Sequence, residues 1–440
     1  MQFIKLPRKL PNPGKLLGNW QKQTLVILLI MTLLVPTILT IPAQAYPGWY
    51  WCRPITINSS QVEGDLDNFP VLISLSGDWL NTMPSGHVGQ IDGGDIVFTD
   101  AGNTTKLDHE IENYNGETGN LVAWVKIPFL SSTTDTIIQM RYGNETCENQ
   151  WNTAAVWDDH FKMVQHLQEK VIDEGAATNA HLDSTANSNH GNQHGNNDAS
   201  GKIDKGQYFN TSLLTDDYIT CGYDQSLDFK GVGNSFTIEA WINTYSEASN
   251  GGIVGRWDNY SRGYQYVLKF RDNFDRIKFQ IFDIYDSDIE TAESEMFSIQ
   301  RNHWYHVVGV ADAGTLQVYL NGNPSGYTDT YGTIADIGTD IGLDIGISKR
   351  GTYVEEEFNG TIDEVRISDI ARDGAWIKTS YNNQCNNQGA PSKFYCLGDE
   401  IVVTEDVIPA PVLPTIALLG IGLAGLVGWF GMGRHRKRIF

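Results

Sequence analysis

The chain has 440 residues, 31 Lys and Arg against 53 Asp and Glu, and is 41% hydrophobic. That length exceeds one ordinary domain of about 100–200 residues, and 11% aromatic content with 12 Trp excludes wholesale disorder. Residues 1–45 hold five basic residues and no acidic one, and the last seven hold four more basic residues, so the rest carries about −31. Affinity for nucleic acid comes from cationic contacts to phosphates, so a body this acidic excludes that partner.

The chain opens with a basic leader, then the apolar run TLVILLIMTLLVPTILTI over 24–41, closing on Ala43-Gln44-Ala45. Small residues at that spacing after an apolar run form a secretory cleavage site, so residues 1–45 are expected to be a signal peptide and Tyr46 the mature start. The long leader leaves an uncleaved anchor as the other reading.

From Tyr46 to about residue 167, short runs alternate apolar and polar between Gly-, Asn- and Asp-rich connectors. Phe69, Val71, Ile73 and Leu75 share one face, as do Leu121, Ala123, Val125 and Ile127. Period-two alternation predicts antiparallel strands with one buried face, and this half reads as a β-sandwich. Within it, DHEIE sets Asp108, Glu110 and Glu112 on one strand face and His109 on the other.

Residues 168–205 form a polar lead-in containing His181, His190 and His194. Gly191 and Gly195 argue against a helix that would align two of these as metal ligands, so a solvated linker is expected. Residues 206–382 return to strands, with FTIEAWI, WYHVVGV and LQVYLNG, and with Asn321-Gly322 as a hairpin turn. The expected fold class is all-β: two antiparallel β-sandwich domains, the second a jelly roll.

Residues 383–410 read as a stalk. Beyond them 411–440 hold TIALLGIGLAGLVGWFGM and a basic RHRKR cluster, which can span a bilayer with the cluster on the cytoplasmic side. The body would then face outward, tethered at the cell surface. Five cysteines contain no C-x-x-C pair, so zinc and redox motifs have no support. In an oxidising compartment Cys385 and Cys396 can close a short loop, and Cys52 with Cys147 can bracket the first domain, leaving Cys221 over.

DYITC, SFTIEAWI, WYHVVGV, LQVYLNG, FNGTIDEVRIS and ARDGAWIKTSYNN follow one another in an order that resembles the laminin-G-like, concanavalin A-like lectin/glucanase jelly roll. HLDSTANSNHG resembles that family's lead-in. CRPITI, NFPVLISL, DGGDIVFTDA, LDHEIENY, LVAWVKIP, RYGN and VWDDHFKMVQHL resemble a family of unknown function found ahead of such jelly rolls in secreted prokaryotic proteins. The Pro-rich lead, short apolar helix and Arg cluster of the tail resemble sorting tails of the PEP-CTERM type, cut by an exosortase-like transpeptidase, although Pro-Ala-Pro stands where Pro-Glu-Pro is usual.

The jelly-roll resemblance implies a structural Ca²⁺ beside the Ile-Asp-Glu strand, with Asp363 as first ligand and Asp183 or Asp204 as partner. Asp363 can equally serve as a strand-end hydrogen-bond acceptor. The fold hosts both lectins and hydrolases, but the glucanase Glu-x-Asp-x-x-Glu spacing is absent, so no catalytic residues are assigned. For sugar, GRWDNYSRGYQY offers Arg256, Trp257, Asn259, Tyr260 and Tyr264 in a loop-like setting. The expected function is non-catalytic recognition of carbohydrate or of a surface protein. A glycoside-active enzyme and a passive envelope component are the alternatives.

Overall fold

The computed structural model describes residues 48–403, apart from 173, 175–177, 211–216, 246–250, 259–262, 272–274, 351–352 and 386–392. The expected signal segment, the C-terminal tail, Asn259 and Tyr260 lie outside the described residues. Among the described residues no helix is long and apolar enough to cross a membrane.

The body is mostly β, its strands paired antiparallel with few exceptions. Strands β1 (Trp51–Ile57), β2 (Leu66–Ser76), β3 (Val97–Asp100), β4 (His109–Asn115), β5 (Asn120–Leu130) and β6 (Thr136–Tyr142) build the first sandwich. One sheet runs β2–β5–β4, and the other places β1 and β3 on either side of β6. Phe69, Val71, Ile73 and Leu75 of β2, with Leu121, Ala123, Val125 and Ile127 of β5, fill the space between the sheets, as their alternation predicts.

The expectation of one buried face per strand fails for β2–β5–β4. Leu72 and Trp124, paired across β2 and β5, are buried as well, because later segments of the chain cover the second face of this sheet. The helix Gly374–Cys385 starts where Asp373 Oδ1 accepts from Trp376 N at 2.8 Å, an N-cap bond. Its Trp376 joins the first core, and its Ile377 packs on Val308 and Val310 of the second sandwich in a small cluster apart from that sandwich's core. Asn383 grips the Leu72 main chain from both sides, Oδ1 accepting from Leu72 N at 2.7 Å and Nδ2 donating to Leu72 O at 3.1 Å.

Beyond β6 the strand β7 (Phe161–Gln165) pairs with Gly360–Ser368 of the second sandwich. Conversely Tyr395–Leu397 and Ile401–Val402 return to pair with β1, so each half contributes chain to the other's neighbourhood. In the second sandwich Gly360–Ser368 pairs with Phe236–Thr244, which pairs with Trp304–Asp312. The facing sheet includes Gly252–Asp258, Gly263–Arg271, Arg276–Asp283 and Asp288–Glu293 in hairpin order. Glu293 opposite Tyr327 joins the two sheets along one edge. Phe236, Ile238, Ala240 and Ile242, alternate residues of FTIEAWI, lie in the core between them.

The solvated linker is corrected. His181, Asp183, Thr185, Asn189, Gln193 and Asn196 are buried, and residues 192–200 form two short strands. Amide and carboxylate side chains here bond to main chain and to one another. Asp183 accepts from Val164 N, Thr185 N and Asn189 N, which ties the lead-in to β7.

The structure contains no disulfide among the five cysteines. Cys52 is buried on β1 and donates to Gln139 Oε1 at 3.2 Å, while Cys147 contacts Gln90 in a separate connection. Cys385 ends the helix and Cys396 lies on the strand paired with Thr56.

Candidate functional site: a buried carboxylate and histidine junction

Where the β2–β5–β4 sheet meets the second sandwich, ionisable side chains converge without solvent. β4 supplies Glu110 and Glu112, both on the side away from His109, in agreement with the alternation of DHEIE. His109 lies buried beside Phe98, within 3.1 Å of Leu107 O and 3.0 Å of Ile96 O. Asp108 stays at the surface in an ion pair with Lys126 at 3.0 Å. His166 follows β7 directly. Glu364 comes from the middle of Gly360–Ser368, at a bulge where the pairing with Phe236–Thr244 shifts register and Glu364 takes φ 53°. A bulge re-aims a side chain that regular alternation would send elsewhere.

The side chains of Glu112, His166 and Glu364 are 0%, 3% and 1% exposed. His166 Nδ1 is 2.8 Å from Glu364 Oε1 and 3.5 Å from Glu112 Oε2, and its Nε2 is 3.4 Å from Glu110 Oε2. Indole donors hold the two β4 carboxylates: Trp124 Nε1 donates to Glu112 Oε2 at 2.8 Å, and Trp157 Nε1 to Glu110 Oε2 at 2.9 Å. Ser184 Oγ donates to Glu110 Oε1 at 2.6 Å. Arg366 stacks on Trp124 at 4.2 Å and donates from Nη2 to Glu364 Oε2 at 2.5 Å. Beyond it Glu239 takes His306 Nε2 at 3.4 Å and Arg366 Nη1 at 3.7 Å.

The electrostatics follow from burial and proximity. Burial drives the Glu112 carboxyl up to about 8, against the pull of His166. Burial alone would lower His166, but Glu364, Glu112 and Glu110 around it raise it well above its ordinary value. Burial would raise Glu364, yet His166 and Arg366 hold it below the usual range. Asp363, facing the other way on the same strand, is pushed well up by burial and by Glu364.

The three expected calcium ligands do not converge. Asp363 Oδ2 accepts from Lys202 N and Ile203 N at 2.8 Å, the strand-end hydrogen-bond role. The Asp183 carboxylate is taken up by Val164 N of β7 and by Thr185 and Asn189 of its own turn. The Asp204 side chain is turned outward to Asn113 Nδ2 at 2.7 Å. Asp363 Oδ1 is buried without a hydrogen-bond partner among the described residues, but Asp183 and Asp204 are engaged elsewhere, so the expected partners are not brought to it.

The expected sugar platform is corrected as well. Arg256 and Trp257 are buried, because GIVGRWD is a strand and not a loop. Arg256 bonds Gln265 Oε1, Gly338 O and Ile341 O and pairs with Asp228 at 3.1 Å. Trp257 packs on Tyr264 at 4.3 Å.

Two further surface features stand out among the described residues. At the turn between Arg276–Asp283 and Asp288–Glu293, Asp283, Asp286 and Glu290 approach one another. Burial and the neighbouring Asp329 raise Glu290 to about 7. Tyr285 projects from the same turn, with Phe297 and Tyr327 further along the edge, all exposed. On the first sandwich a cleft of about 510 Å³ is lined by Asn81, Thr82, Ser85, Ile91, Tyr114 and Glu117 among others.

Sequence signals existed for Glu110 and Glu112, and Asp363 marked the strand that carries Glu364. His166 and Glu364 themselves were missed: they meet 198 residues apart in sequence, at a bulge.

Residues 209–378 match the family model of the concanavalin A-like lectin/glucanases superfamily, and residues 92–179 match a domain of unknown function, DUF2341. The chain is therefore a two-sandwich protein whose second sandwich is a concanavalin A-like domain. No curated protein sequence matches it. Among solved structures it is similar to the binding domain of Paraclostridial Mosquitocidal Protein 1, at 15% identity and TM-score 0.40, over 52% of this chain and 53% of that one. It is similar to the botulinum neurotoxin serotype G binding domain at 14% identity and TM-score 0.36, over 50% of each chain. Domain 4 of AbnA, an extracellular arabinanase from Geobacillus stearothermophilus solved with arabinotriose, matches at 18% identity and TM-score 0.34, over 50% of this chain and 97% of that one. The chain thus spans about half the length of the toxin binding domains it matches.

Proposed function

We propose that the chain is an exported, surface-tethered recognition protein without catalytic activity, binding carbohydrate through its concanavalin A-like sandwich. One observation carries the reading. Tyr285, Phe297 and Tyr327 stand 86%, 69% and 62% exposed along the edge where Asp288–Glu293 meets Asn323–Thr330. Large aromatic rings left in solvent along one edge mark an interaction surface, and ring faces suit the apolar faces of pyranoses. Carboxylates, amides and hydroxyls beside them, including Asp286, Glu290 and Ser325, offer hydrogen-bond partners for sugar hydroxyls.

A glycosidase needs two carboxylates about 5–10 Å apart that a sugar chain can reach. The junction carboxylates are sealed beneath Trp124 and Trp157, which supports a binding rather than a hydrolytic role. The enzyme reading keeps one specific support, Glu290 raised to about 7 in an open setting beside Asp329. Export and tethering rest on the apolar ends of the sequence and belong to the proposal, as does a sorting transpeptidase acting on the tail.

The test is a polysaccharide array probed with the whole chain, with calcium and with chelator, since calcium is the ion the resemblance implies. The expected outcome is saturable binding that falls at least tenfold when Tyr285, Phe297 and Tyr327 are all replaced by Ala. Unchanged binding by that variant removes the aromatic edge from the account. Absence of binding to every glycan transfers the weight to a protein partner or a passive envelope role.

A further inference from the structure

The junction is overbuilt for a polar contact between two sandwiches. Glu110, Glu112, Glu239, Asp363 and Glu364 are five buried carboxyl groups, set against Arg366 and the two imidazoles of His166 and His306. Ionising all five would leave negative charge in excess even with both imidazoles protonated, and an uncompensated charge is costly here, so the network takes up either protons or a cation. One carboxylate oxygen, Glu112 Oε1, is buried with no hydrogen-bond partner. Glu364 is held at φ 53°, a backbone region that a residue with a side chain enters at a cost. A network that only joined two domains would require neither an orphaned carboxylate oxygen nor a strained strand.

We propose that Glu112, His166 and Glu364 bind one divalent transition-metal ion, of the zinc or manganese class, at the seam between the two sandwiches. One donor atom from each lies within 4.8 Å of the others, and all three residues are buried. Imidazole with two carboxylates suits a first-row divalent ion, whereas calcium and magnesium take oxygen donors.

The surroundings match the way such ligands are held. A histidine that binds metal through one ring nitrogen directs the other to a carboxylate, which fixes the ring. Here Nδ1 faces Glu112 and Glu364, and Nε2 faces Glu110 at 3.4 Å. Glu110 is fixed in turn by Trp157 and Ser184. The metal-facing carboxylates are oriented likewise, Glu112 by Trp124 and Glu364 by Arg366. A divalent ion held there offsets the two charges of Glu112 and Glu364, the compensation that buried carboxylates require. Because the donors come from β4, from the residue after β7 and from Gly360–Ser368, the ion acts as a structural clasp and enters as the seam closes.

The test is metal content of the whole chain, purified without chelator from zinc- and manganese-supplemented medium, together with its Tm before and after chelation. The expected result is about one zinc or manganese per chain, a Tm that drops on chelation and recovers when that ion is restored, and roughly tenfold or greater loss of retained ion in Glu112→Gln and His166→Gln. Should those variants fail to fold, Glu112→Asp, which keeps the charge and shortens the reach, gives the same readout. A wild-type chain that retains neither ion, with a Tm indifferent to chelator and to both metals, overturns the proposal and leaves a network held by protons. Equal ion retention by the folded variants and the wild type overturns it as well, placing the ion elsewhere.

Discussion

His109 sits inside the first sandwich with each ring nitrogen facing a main-chain carbonyl oxygen, at 3.1 and 3.0 Å. Burial pulls its pKa from 6.5 down to about 4, outweighing those two acceptors. The folded state therefore resists the proton that the unfolded chain accepts near 6.5. Its contribution is fully present above pH 6.5 and is lost as pH falls through about 4, a swing of roughly 3 kcal/mol for a shift of this size. Denaturant unfolding at a series of pH values should register that slope, and His109→Gln should flatten it; an unchanged slope in the variant would assign acid sensitivity to other groups. A second residue-scale prediction concerns Arg366, whose guanidinium serves both Glu364 and Glu239 while stacked on Trp124. Arg366→Met keeps much of the apolar stem but strands two buried carboxylates, and should cost about 3–5 kcal/mol in the same unfolding measurement. A cost below about 1 kcal/mol would mean that the carboxylates find other partners.

At the scale of elements, the helix Gly374–Cys385 acts as a bolt, with Trp376 in the first core, Ile377 on Val308 and Val310 outside the second core, and Asn383 completing the hydrogen bonds of Leu72 on the free edge of β2. Asn383→Ala leaves a buried N–H and a buried carbonyl unpaired and should destabilise by about 2–4 kcal/mol, at roughly 1–3 kcal/mol per stranded group. Equilibrium unfolding of the variant checks this, and a loss within error of zero would show that water replaces the side chain. The strands themselves were legible. Phe69 to Leu75, Leu121 to Ile127 and Phe236 to Ile242 alternate with the period of a sheet, and each lies in the core that alternation assigned. Alternation also placed Glu110 and Glu112 together, opposite His109. It could not disclose that their face is covered, because the cover arrives from strands and a helix far along the chain. Local composition misled twice. Gly, Asn and Ser around Arg256 and Trp257 read as loop, while Gly252–Asp258 is a buried strand. The Asn- and Ser-rich lead-in read as solvated, while its polar side chains spend themselves on main-chain groups. Glu364 lay beyond sequence reasoning altogether, since a bulge at φ 53° breaks the very period by which a strand residue is assigned to a face.

For the whole molecule, the exchange of elements matters more than the count of domains. β7 enters the second sandwich, Tyr395–Leu397 returns to the first, and the buried carboxylates and histidine fill the seam between. Two sandwiches joined in this way should unfold together: a single cooperative urea transition, coincident by far-UV circular dichroism and Trp fluorescence, is expected. Two resolved transitions would mean that the seam contributes little. The proposed recognition then falls to the surface, where the aromatic edge of the concanavalin A-like sandwich is exposed and the clustered acids of the seam are not. The most direct measurement takes a polysaccharide that the whole chain binds and follows bound protein and released reducing ends in the same incubation. The account predicts saturable binding with no reducing ends above the protein-free control. Release that grows with time, and that disappears in Glu290→Gln, would contradict it and make the acidic turn an active site.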